Sequence, residues 1–454
     1  MKIILSILFI FIVSTSTLSA DSEISADDNE ADVEEVVVTG SRIKKDSINV
    51  DLIQLYKQLH LNPELSFKEE KTSKKLATIL TGLGFEVTEN FGGYGVVALL
   101  KNGEGKTIML RADMDGLPVE ELTGASYASK AKSFNQVGDE VFTMHACGHD
   151  IHMTSLIGTV VDLIAKKDQW QGNLLVIMQP AEEVSGGARN MIKEGIFEKF
   201  PRPDFNLALH VSADLPAGKV GYVPGWAMAN VDSMDITIKG VGGHGAYPHT
   251  TKDPIVMASQ LINSLQTIVS REIAPIEAAV VTVGSIHGGT KHNVIPSEVR
   301  LQLTLRSYTD EVRNQTISTI RRMARGLAQA NGLPKDSYPE ITLKDEYTPA
   351  LFNNPALTEK LRISFEKALG QENVLKLSPV MGGEDFGMYG RVEPIIPTSL
   401  FWLGAVNKKV YDTSLRENIS LPSLHSAFFL PDPEPTISTG VKAMSGAVID
   451  LYQD

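Results

Sequence analysis

The strongest constraint on the fold is a regular alternation of short apolar runs with amphipathic segments. Helical spacing of apolar residues begins soon after residue 50, and short apolar runs bounded by glycine or charge follow it. The pattern predicts helices over 52–59, 69–80 and 153–165, and strands over 94–100, 107–110, 174–178 and 207–209. This alternation is typical of an α/β fold with helices on both faces of one sheet.

The middle of the chain has a different pattern. Its apolar residues predict strands over 233–239, 279–285, 299–307 and 341–343, and helices over 253–269 and 310–330. The order strand, helix, strand, strand, helix, strand is typical of a small two-layer α/β unit. Because a helix at 355–369, a strand at 399–403 and a helix at 436–452 then resume the first pattern, we expect the unit to be an insertion.

The length of the chain supports two domains, since about 400 residues are too many for one ordinary core. We place the first part of the larger domain at residues 50–223 and its second part at residues 344–454. The inserted unit takes residues 224–343.

The N-terminal residues predict export. A lysine, an apolar run over residues 3–13 and a small-residue stretch ending at Ala20 are typical of a secretory signal peptide over residues 1–20. The run is shorter than the roughly 20 residues that span a bilayer, so we expect no integral membrane segment after cleavage. Residues 21–49 begin with an acidic stretch and predict a flexible segment. We expect a periplasmic or secreted protein.

Charge and cysteine content narrow the possible partners. The net charge of −13 and the pI near 5.3 disfavour binding to polyanions, so no nucleic-acid partner is expected. Cys147 is the single cysteine. An exported chain with one cysteine cannot form an internal disulfide, so this thiol is free, bridged to another chain, or bound to a ligand.

Residue types that bind metals are concentrated in four short segments. Open α/β sheets bind ligands at the carboxyl ends of their strands, and two of these segments follow predicted strands. Thiolate, imidazole and carboxylate groups together suit a transition metal better than calcium or magnesium. A single histidine or a glutamate pair is more often structural, but the combination favours a metal site. The segments are residues 144–150, residues 179–183, His210 and His425.

Glu182 and Glu183 are adjacent and follow an apolar strand and a proline. Side chains of consecutive extended residues point to opposite sides, so the pair predicts two different tasks.

Six motifs resemble one known family. The chain is similar to the amidohydrolase branch of the aminoacylase and carboxypeptidase G family, which includes hippurate hydrolases, N-acyl-amino-acid deacylases and indole-acetyl-amino-acid hydrolases. The resemblance runs from about residue 50 to the C-terminus. It implies a two-metal, exopeptidase-like catalytic domain with a mixed sheet, interrupted by a lid domain that also forms a homodimer. The motifs are residues 111–118, 146–150, 179–183, 242–249, 293–296 and 382–386.

The resemblance also implies a ligand set for two divalent transition-metal ions. Cys147 takes a bridging position that other branches fill with aspartate, and four further ligands complete the set: His149, Glu183, His210 and His425. Zinc, manganese and cobalt all suit such ligands. Asp113 is either a group that orients a ligand imidazole or a buried carboxylate at a strand end.

The remaining roles follow from the same resemblance. Glu182 is the expected general base, and His244 is expected to stabilise the oxyanion across the dimer interface. Asn293 and Arg306 are expected to bind the carboxylate of the substrate. A structural turn histidine and an ordinary surface charge on a strand are the alternatives for His244 and Arg306.

The expected activity is hydrolysis of the amide bond of N-acyl amino acids or related small amides. The first alternative is a metallo-exopeptidase that cleaves dipeptides, which differs in its preferred substrate. The second is a non-catalytic binding protein, which a lost base or ligand would indicate. No position that matches the motifs is lost in this sequence.

Overall fold

The computed structural model describes residues 50–345 and 347–454. The predicted signal peptide and the acidic segment lie outside these residues. No helix in the described ranges is both long enough and apolar enough to cross a bilayer.

Eleven α-helices occur in the described part of the chain. They are α1 Leu52–Leu61, α2 Glu70–Gly82, α3 His149–Ala165, α4 Gly187–Lys193, α5 Ile196–Lys199, α6 Pro254–Thr267, α7 Asp310–Ala330, α8 Pro355–Leu369, α9 Gly387–Gly390, α10 Lys408–Glu417 and α11 Pro433–Gln453.

Eighteen strands accompany them within the same residues. They are β1 Glu86–Phe91, β2 Gly95–Asn102, β3 Thr107–Asp113, β4 Lys132–Phe134, β5 Glu140–Phe142, β6 Gly172–Gln179, β7 Phe205–Pro216, β8 Val220–Tyr222, β9 Gly225–Met228, β10 Asp232–Lys239, β11 Gly243–His244, β12 Ala279–His287, β13 Val294–Ile295, β14 Glu298–Ser307, β15 Glu340–Leu343, β16 Leu351–Asn353, β17 Val374–Lys376 and β18 Thr398–Val406.

The large sheet has eight strands in the order β1-β2-β6-β3-β7-β18-β8-β17. Strands β6, β3, β7 and β18 run parallel to their neighbours within this group and form the centre of the sheet. Strands β1 and β2 add to one side in antiparallel pairings, so the sheet is mixed.

Both faces of the large sheet are covered. Along β3, Ile108 and Leu110 contribute to one buried apolar cluster, whereas Met109 between them contributes to another. Alternate residues of a strand point to opposite faces, so the two clusters lie on opposite sides of the sheet. The first cluster contains residues of α1, α2, α3, α8 and α11, and the second contains residues of α4, α5 and α9.

The small sheet has the order β12-β14-β10-β15 and is antiparallel. Burial alternates along β10, whose Met234, Ile236 and Ile238 join residues of α6 and α7 in a separate core. The helix α6 begins at Pro254 because Asp253 accepts hydrogen bonds from the amides of Ile255 and Val256. The result is a two-layer unit.

These features confirm the predicted fold class, a mixed α/β sheet with helices on both faces and a smaller two-layer α/β unit. The chain enters the inserted unit through β9 and leaves it before β16, and these two strands pair antiparallel. The exact domain boundaries remain predictions.

Candidate metal centre and active site

Parallel strands bring the first two motif segments to one edge of the large sheet. Asp113, the last residue of β3, lies opposite Gln179, the last residue of β6. The residues that follow each strand therefore emerge side by side at the carboxyl ends. These residues include Asp115 on one side and the pair Glu182 and Glu183 on the other.

The Cys-Gly-His motif forms the start of α3. Gly148 precedes the helix with a φ of +79°, and a Cβ on this residue would lie 2.6 Å from Val211. Glycine is therefore required both by the left-handed backbone and by the close approach of β7. This tight entry places Cys147 just before the helix and His149 in its first turn, and both are buried.

Two histidines from distant segments approach Cys147. The Nε2 atom of His210, on β7, lies 3.5 Å from the Cys147 Sγ. The Nε2 atom of His425 lies 3.2 Å from the same sulfur and 3.5 Å from the Oε1 of Glu183. His210 lies within β7 and not at its end, and its Nδ1 donates a hydrogen bond to the carbonyl of Val211. That bond leaves Nε2 free to act as a ligand.

The donor atoms form overlapping groups. Cys147, His149 and His210 have donor atoms within 4.8 Å of one another, and so do Cys147, Glu183 and His425. Cys147 belongs to both groups. The structure therefore brings together the five residues that the sequence predicted as ligands.

Unpaired donor atoms show that a metal fits these residues. Both ring nitrogens of His149 and the Oε1 of Glu183 are buried and make no hydrogen bond within the described residues, although carboxylates of Asp115 and Asp113 lie 3.4 and 3.7 Å from the two ring nitrogens. Buried polar atoms normally have a partner, so atoms without one are suited to a cation. The charges of the carboxylates around His149 also favour a cation. Burial disfavours the imidazolium of His149, but Asp113 and Asp115 outweigh burial and raise its pKa to about 10. A cation is thus favoured at this position.

The thiol of Cys147 also requires a cation to become a ligand. Burial and the nearby carboxylates of Glu183 and Glu182 raise the pKa of this thiol well above its ordinary value. Without a bound metal, the sulfur is therefore protonated. Because only the thiolate coordinates metals, binding at this site releases the proton.

Asp113 and Asp115 have different partners. The Oδ1 of Asp113 lies 2.6 Å from the Nδ1 of His152, whose Nε2 accepts a hydrogen bond from the amide of Val211. The Oδ2 of Asp113 lies 3.7 Å from the Nε2 of His149. Asp115 lies closer to His149, with 3.4 Å between its Oδ1 and the Nδ1. Sequence reasoning missed Asp115 and His152. The repeated aspartate in residues 113–115 was the available signal.

A buried arginine lies beneath the site. Arg111 donates hydrogen bonds to Asp113, Glu384 and Asp385 at 2.6, 2.9 and 3.0 Å, and its Nε donates to Gln179 at 3.0 Å. The side chain of Arg111 is completely buried. This network joins the ends of β3 and β6 to the segment 384–385. The motifs contained these residues, but the sequence suggested a role only for Asp113.

Glu182 lines a cleft and shares no group with Cys147, although its carboxylate lies within 4.8 Å of donor atoms of His149 and Glu183. Its carboxylate lies within 4.8 Å of donor oxygens of Glu384 and Asp385. Burial raises the pKa of Glu182 well above its ordinary value, and the charges of Glu384 and Glu183 raise it further. A carboxyl group in this environment readily accepts a proton.

The cleft has a volume of about 990 Å³ and is lined by both the large domain and the inserted unit. Arg306, on β14, lines it from the inserted unit and has no ion-pair partner among the described residues. Several of the other side chains that line the cleft are apolar. They include Leu215, Met228, Val231, Leu377, Val380, Met381 and Trp402.

His244 and Asn293 lie together away from this cleft. His244 pairs with Val294 across the short ribbon of β11 and β13, and the amide of Gly245 bonds to the carbonyl of Asn293 at 2.9 Å. Both residues are exposed, and neither lines the cleft of its own chain. Their predicted roles in catalysis and substrate binding stay predictions.

Comparison with known proteins identifies the family. The model described as peptidase family M20/M25/M40 matches residues 109–428. The chain belongs to this family. The matched region includes all five residues of the candidate metal centre.

Several curated relatives are similar over most of their length. A hippurate hydrolase from Campylobacter jejuni is 39% identical over 338 residues, which cover 73% of this chain and 83% of the relative. An N-acetyldiaminopimelate deacetylase from Streptococcus uberis is 38% identical over 360 residues, with coverage of 78% and 90%. Thermostable carboxypeptidase 2 from Saccharolobus solfataricus is 36% identical over 375 residues, with coverage of 81% and 90%.

Solved structures show the same fold. A putative aminohydrolase from methicillin-resistant Staphylococcus aureus has a TM-score of 0.75 and 33% identity, covering 88% of this chain and 95% of its own. A dinuclear metal-binding peptidase of the M20 family from Bacillus subtilis has a TM-score of 0.70 and 29% identity, with coverage of 88% and 98%.

Proposed function

We propose that the protein is a metal-dependent amidohydrolase that cleaves the amide bond of N-acyl amino acids. One observation carries this proposal. A carboxylate suited to be a general base, Glu182, opens into the same cleft as the metal-ligand set around Cys147 and the unpaired cation of Arg306. A base, a metal centre and a carboxylate-binding group are the components that this reaction needs.

The residues that would hold two divalent metals are Cys147, His149, Glu183, His210 and His425, and Cys147 belongs to two of the donor groups. When bound, the metals supply Lewis acidity that lowers the pKa of a water and polarises the scissile carbonyl. Zinc, manganese and cobalt are the proposed ions, because thiolate and imidazole ligands suit them.

Glu182 moves the protons of the reaction. Its carboxylate accepts a proton from the attacking water as the water oxygen bonds to the carbonyl carbon. The carboxyl group then returns a proton to the amide nitrogen as the C–N bond breaks. The products are a carboxylic acid and a free amino acid, and Glu182 is again ionised.

Arg306 is the proposed binding group for the carboxylate of the amino-acid part of the substrate. A guanidinium presents paired donors that match a carboxylate, and this one lines the cleft without an ion-pair partner among the described residues. The apolar side chains on the other walls are suited to the acyl group. The names of two relatives, a hippurate hydrolase and an N-acetyldiaminopimelate deacetylase, support the same substrate class.

We further propose a homodimer in which His244 and Asn293 of one chain complete the site of the other. Their exposure on the ribbon of β11 and β13, outside the cleft of their own chain, supports this arrangement. Periplasmic or secreted localisation is proposed from residues 1–20 alone.

A second candidate function is hydrolysis of dipeptides. The relatives named thermostable carboxypeptidases support it. A dipeptide differs from an N-acyl amino acid by a charged amino group, and the cleft is lined by carboxylates such as Asp214 and Glu384 as well as by apolar side chains.

A substrate panel separates the two functions. The protein, purified without chelator and supplied in turn with zinc, manganese or cobalt, is assayed on N-acetyl and N-benzoyl amino acids and on matched dipeptides. We expect a higher kcat/KM on the N-acyl amino acids. A preference for the dipeptides would instead support the exopeptidase, and no hydrolysis of either class with any metal would exclude the proposed function.

A further inference from the structure

Glu182 and Glu183 lie in a tight connection of residues 180–187 between β6 and α4, here called the catalytic turn. Its backbone is closed by bonds from the amides of Gly186 and Gly187 to the carbonyl of Ala181, both 3.1 Å. A bond of 2.8 Å from the amide of Ser185 to the carbonyl of Glu182 adds to them. These bonds leave the amides of residues 181–183 in need of acceptors from elsewhere.

Two buried carboxylates accept hydrogen bonds from those three amides. The Oε1 of Glu69 accepts from the amide of Ala181 at 2.7 Å. The two oxygens of Asp115 accept from the amides of Glu182 and Glu183 at 3.1 and 3.0 Å. Hydrogen bonds from amides to an ionised carboxylate are stronger than those to neutral acceptors, which applies to Asp115, whereas burial and the charge of Asp115 raise the pKa of Glu69 to about 8. The backbone position of the base and of its neighbour thus depends on two side chains outside the catalytic turn.

Ala181 adopts a backbone conformation that needs such support. Its φ is +50°, in the left-handed region that residues with a Cβ disfavour. Backbone strain of this kind persists only when surrounding contacts hold the residue in that conformation. The bond from Ala181 to Glu69 is the contact that acts directly on this peptide.

The side chain of Glu69 is directed at the catalytic turn. It is fully buried, and its Oε2 makes no hydrogen bond within the described residues. It lies just before α2 but does not cap that helix through its side chain. Burying a carboxylate is costly, so its retention in this position needs a compensating role. The bond to Ala181, 112 residues away in the sequence, supplies one.

The rest of residues 65–69 contacts the same region. The hydroxyl of Ser66 donates to the Oδ2 of Asp115 at 2.6 Å. The ring of Phe67 packs so closely on Gly186 that a Cβ there would lie 2.5 Å from it. Residues 65–69 therefore contact both ends of the catalytic turn. They also contact Asp115, which accepts hydrogen bonds from the amides in the middle of that turn.

We propose that Glu69 is a positioning residue for the general base, holding Ala181 in its left-handed conformation so that Glu182 faces the cleft while Glu183 faces the metal ligands. The inference rests on the proposed function of Glu182. It adds a residue that touches neither substrate nor metal and acts through the backbone.

The test compares Glu69→Leu with Glu69→Gln. Leucine removes the acceptor, whereas glutamine keeps a carbonyl oxygen that can accept from Ala181. Small misplacements of a catalytic group cost up to about 100-fold in rate. We expect Glu69→Leu to lower kcat by roughly that factor with KM and metal content unchanged, and Glu69→Gln to stay within about threefold of wild type. Glu69→Ala replaces the leucine variant if the latter does not fold.

Glu64 offers a matched control. Glu64 directly precedes residues 65–69, and its carboxylate accepts from the amides of Lys71 and Thr72, at the start of α2. Glu64→Leu therefore removes a partly buried acceptor near α2 without touching the catalytic turn. We expect its kcat to remain close to that of wild type even where its melting temperature falls.

Hydrogen exchange gives a readout independent of activity. Peptides that cover residues 180–187 should exchange faster in Glu69→Leu than in wild type or Glu64→Leu. In the background of Glu69→Leu, Ala181→Gly should recover several-fold in kcat, because glycine adopts positive φ without strain.

Three results would overturn the proposal: wild-type kcat in Glu69→Leu, an unchanged exchange rate over residues 180–187, or no recovery with Ala181→Gly. Loss of bound metal in Glu69→Leu would also overturn it in favour of a role in metal binding. Failure of the proposed function is distinguishable, since wild type would then fail to hydrolyse N-acyl amino acids at all.

Discussion

Replacement of His60 should remove a stabilisation that depends on pH. His60, on α1, is 1% exposed. Its Nδ1 lies 2.6 Å from the Oδ2 of Asp150, in the first turn of α3, and its Nε2 lies 3.1 Å from the Oε1 of Glu121. The imidazolium thus links α1 to α3 and to the loop that contains Glu121.

The size of this contribution follows from the pKa. Burial disfavours the charged ring, but the hydrogen bonds to Asp150 and Glu121 outweigh burial and raise the pKa of His60 from 6.5 to about 9. A difference of about 2.5 units (9 minus 6.5) corresponds to about 3 kcal/mol. Because the pKa is higher in the folded state, the stabilisation is complete below pH 6.5 and is lost as the pH rises through about 9.

Urea unfolding of wild type and His60→Gln at saturating metal, at about pH 6 and about pH 9.5, measures this effect. The difference in unfolding free energy between the two proteins should shrink by about 3 kcal/mol at the higher pH. His292→Gln is the matched control, since His292 is exposed and the same substitution there should change little at either pH. A difference between wild type and His60→Gln that does not vary with pH would refute the reasoning.

Three further predictions concern the site. Arg111→Met leaves the buried carboxylates of Asp113, Glu384 and Asp385 without their cation, so thermal unfolding should show a loss of about 3–5 kcal/mol. Thiol reagents should inactivate the metal-free protein faster than the metal-loaded one, because a coordinated Cys147 is protected; equal rates would remove Cys147 from the ligand set. Mixing inactive Glu182→Gln and His244→Ala chains should restore about a quarter of wild-type activity, since half the dimers are mixed and each holds one intact site; subunits that exchange without recovery would place His244 outside the partner's site.

Long amphipathic elements could be predicted from the sequence because their burial follows their period. The helix α7 spans Asp310–Ala330, which are the predicted bounds, and the strands of the small sheet lie within two residues of prediction. Elements without that signal were missed. The helix α10 has no buried residue, and β8 and β17 have only three residues each.

The start of α3 shows a different limit. The sequence predicted a helix from residue 153, whereas α3 begins at His149. Its first turn buries His149, Asp150 and His152, which are polar residues that apolar periodicity treats as exposed. Where a helix buries polar groups at a functional site, the spacing of apolar residues does not reveal that part of the helix.

The residues of the site also include some that the sequence predicted and others that it missed. Motifs gave the five predicted ligands and the predicted base Glu182, because the required atom types are visible in the sequence. Asp115, His152 and Glu69 could not be assigned, because their roles depend on contacts with residues that the fold brings together. The bond between Glu69 and the amide of Ala181 is an example, since nothing near either residue in the sequence indicates it.

The central claim is that Glu182 is the base of a metal centre to which it does not itself bind. Metal content and turnover on an N-acyl amino acid, measured together in wild type, Glu182→Gln and the exposed control Glu277→Gln, test it most directly. The account predicts two metals per chain in all three proteins, with hydrolysis lost by several orders of magnitude in Glu182→Gln alone. Near-normal turnover in Glu182→Gln, or a loss of activity that merely follows a loss of metal, would contradict it.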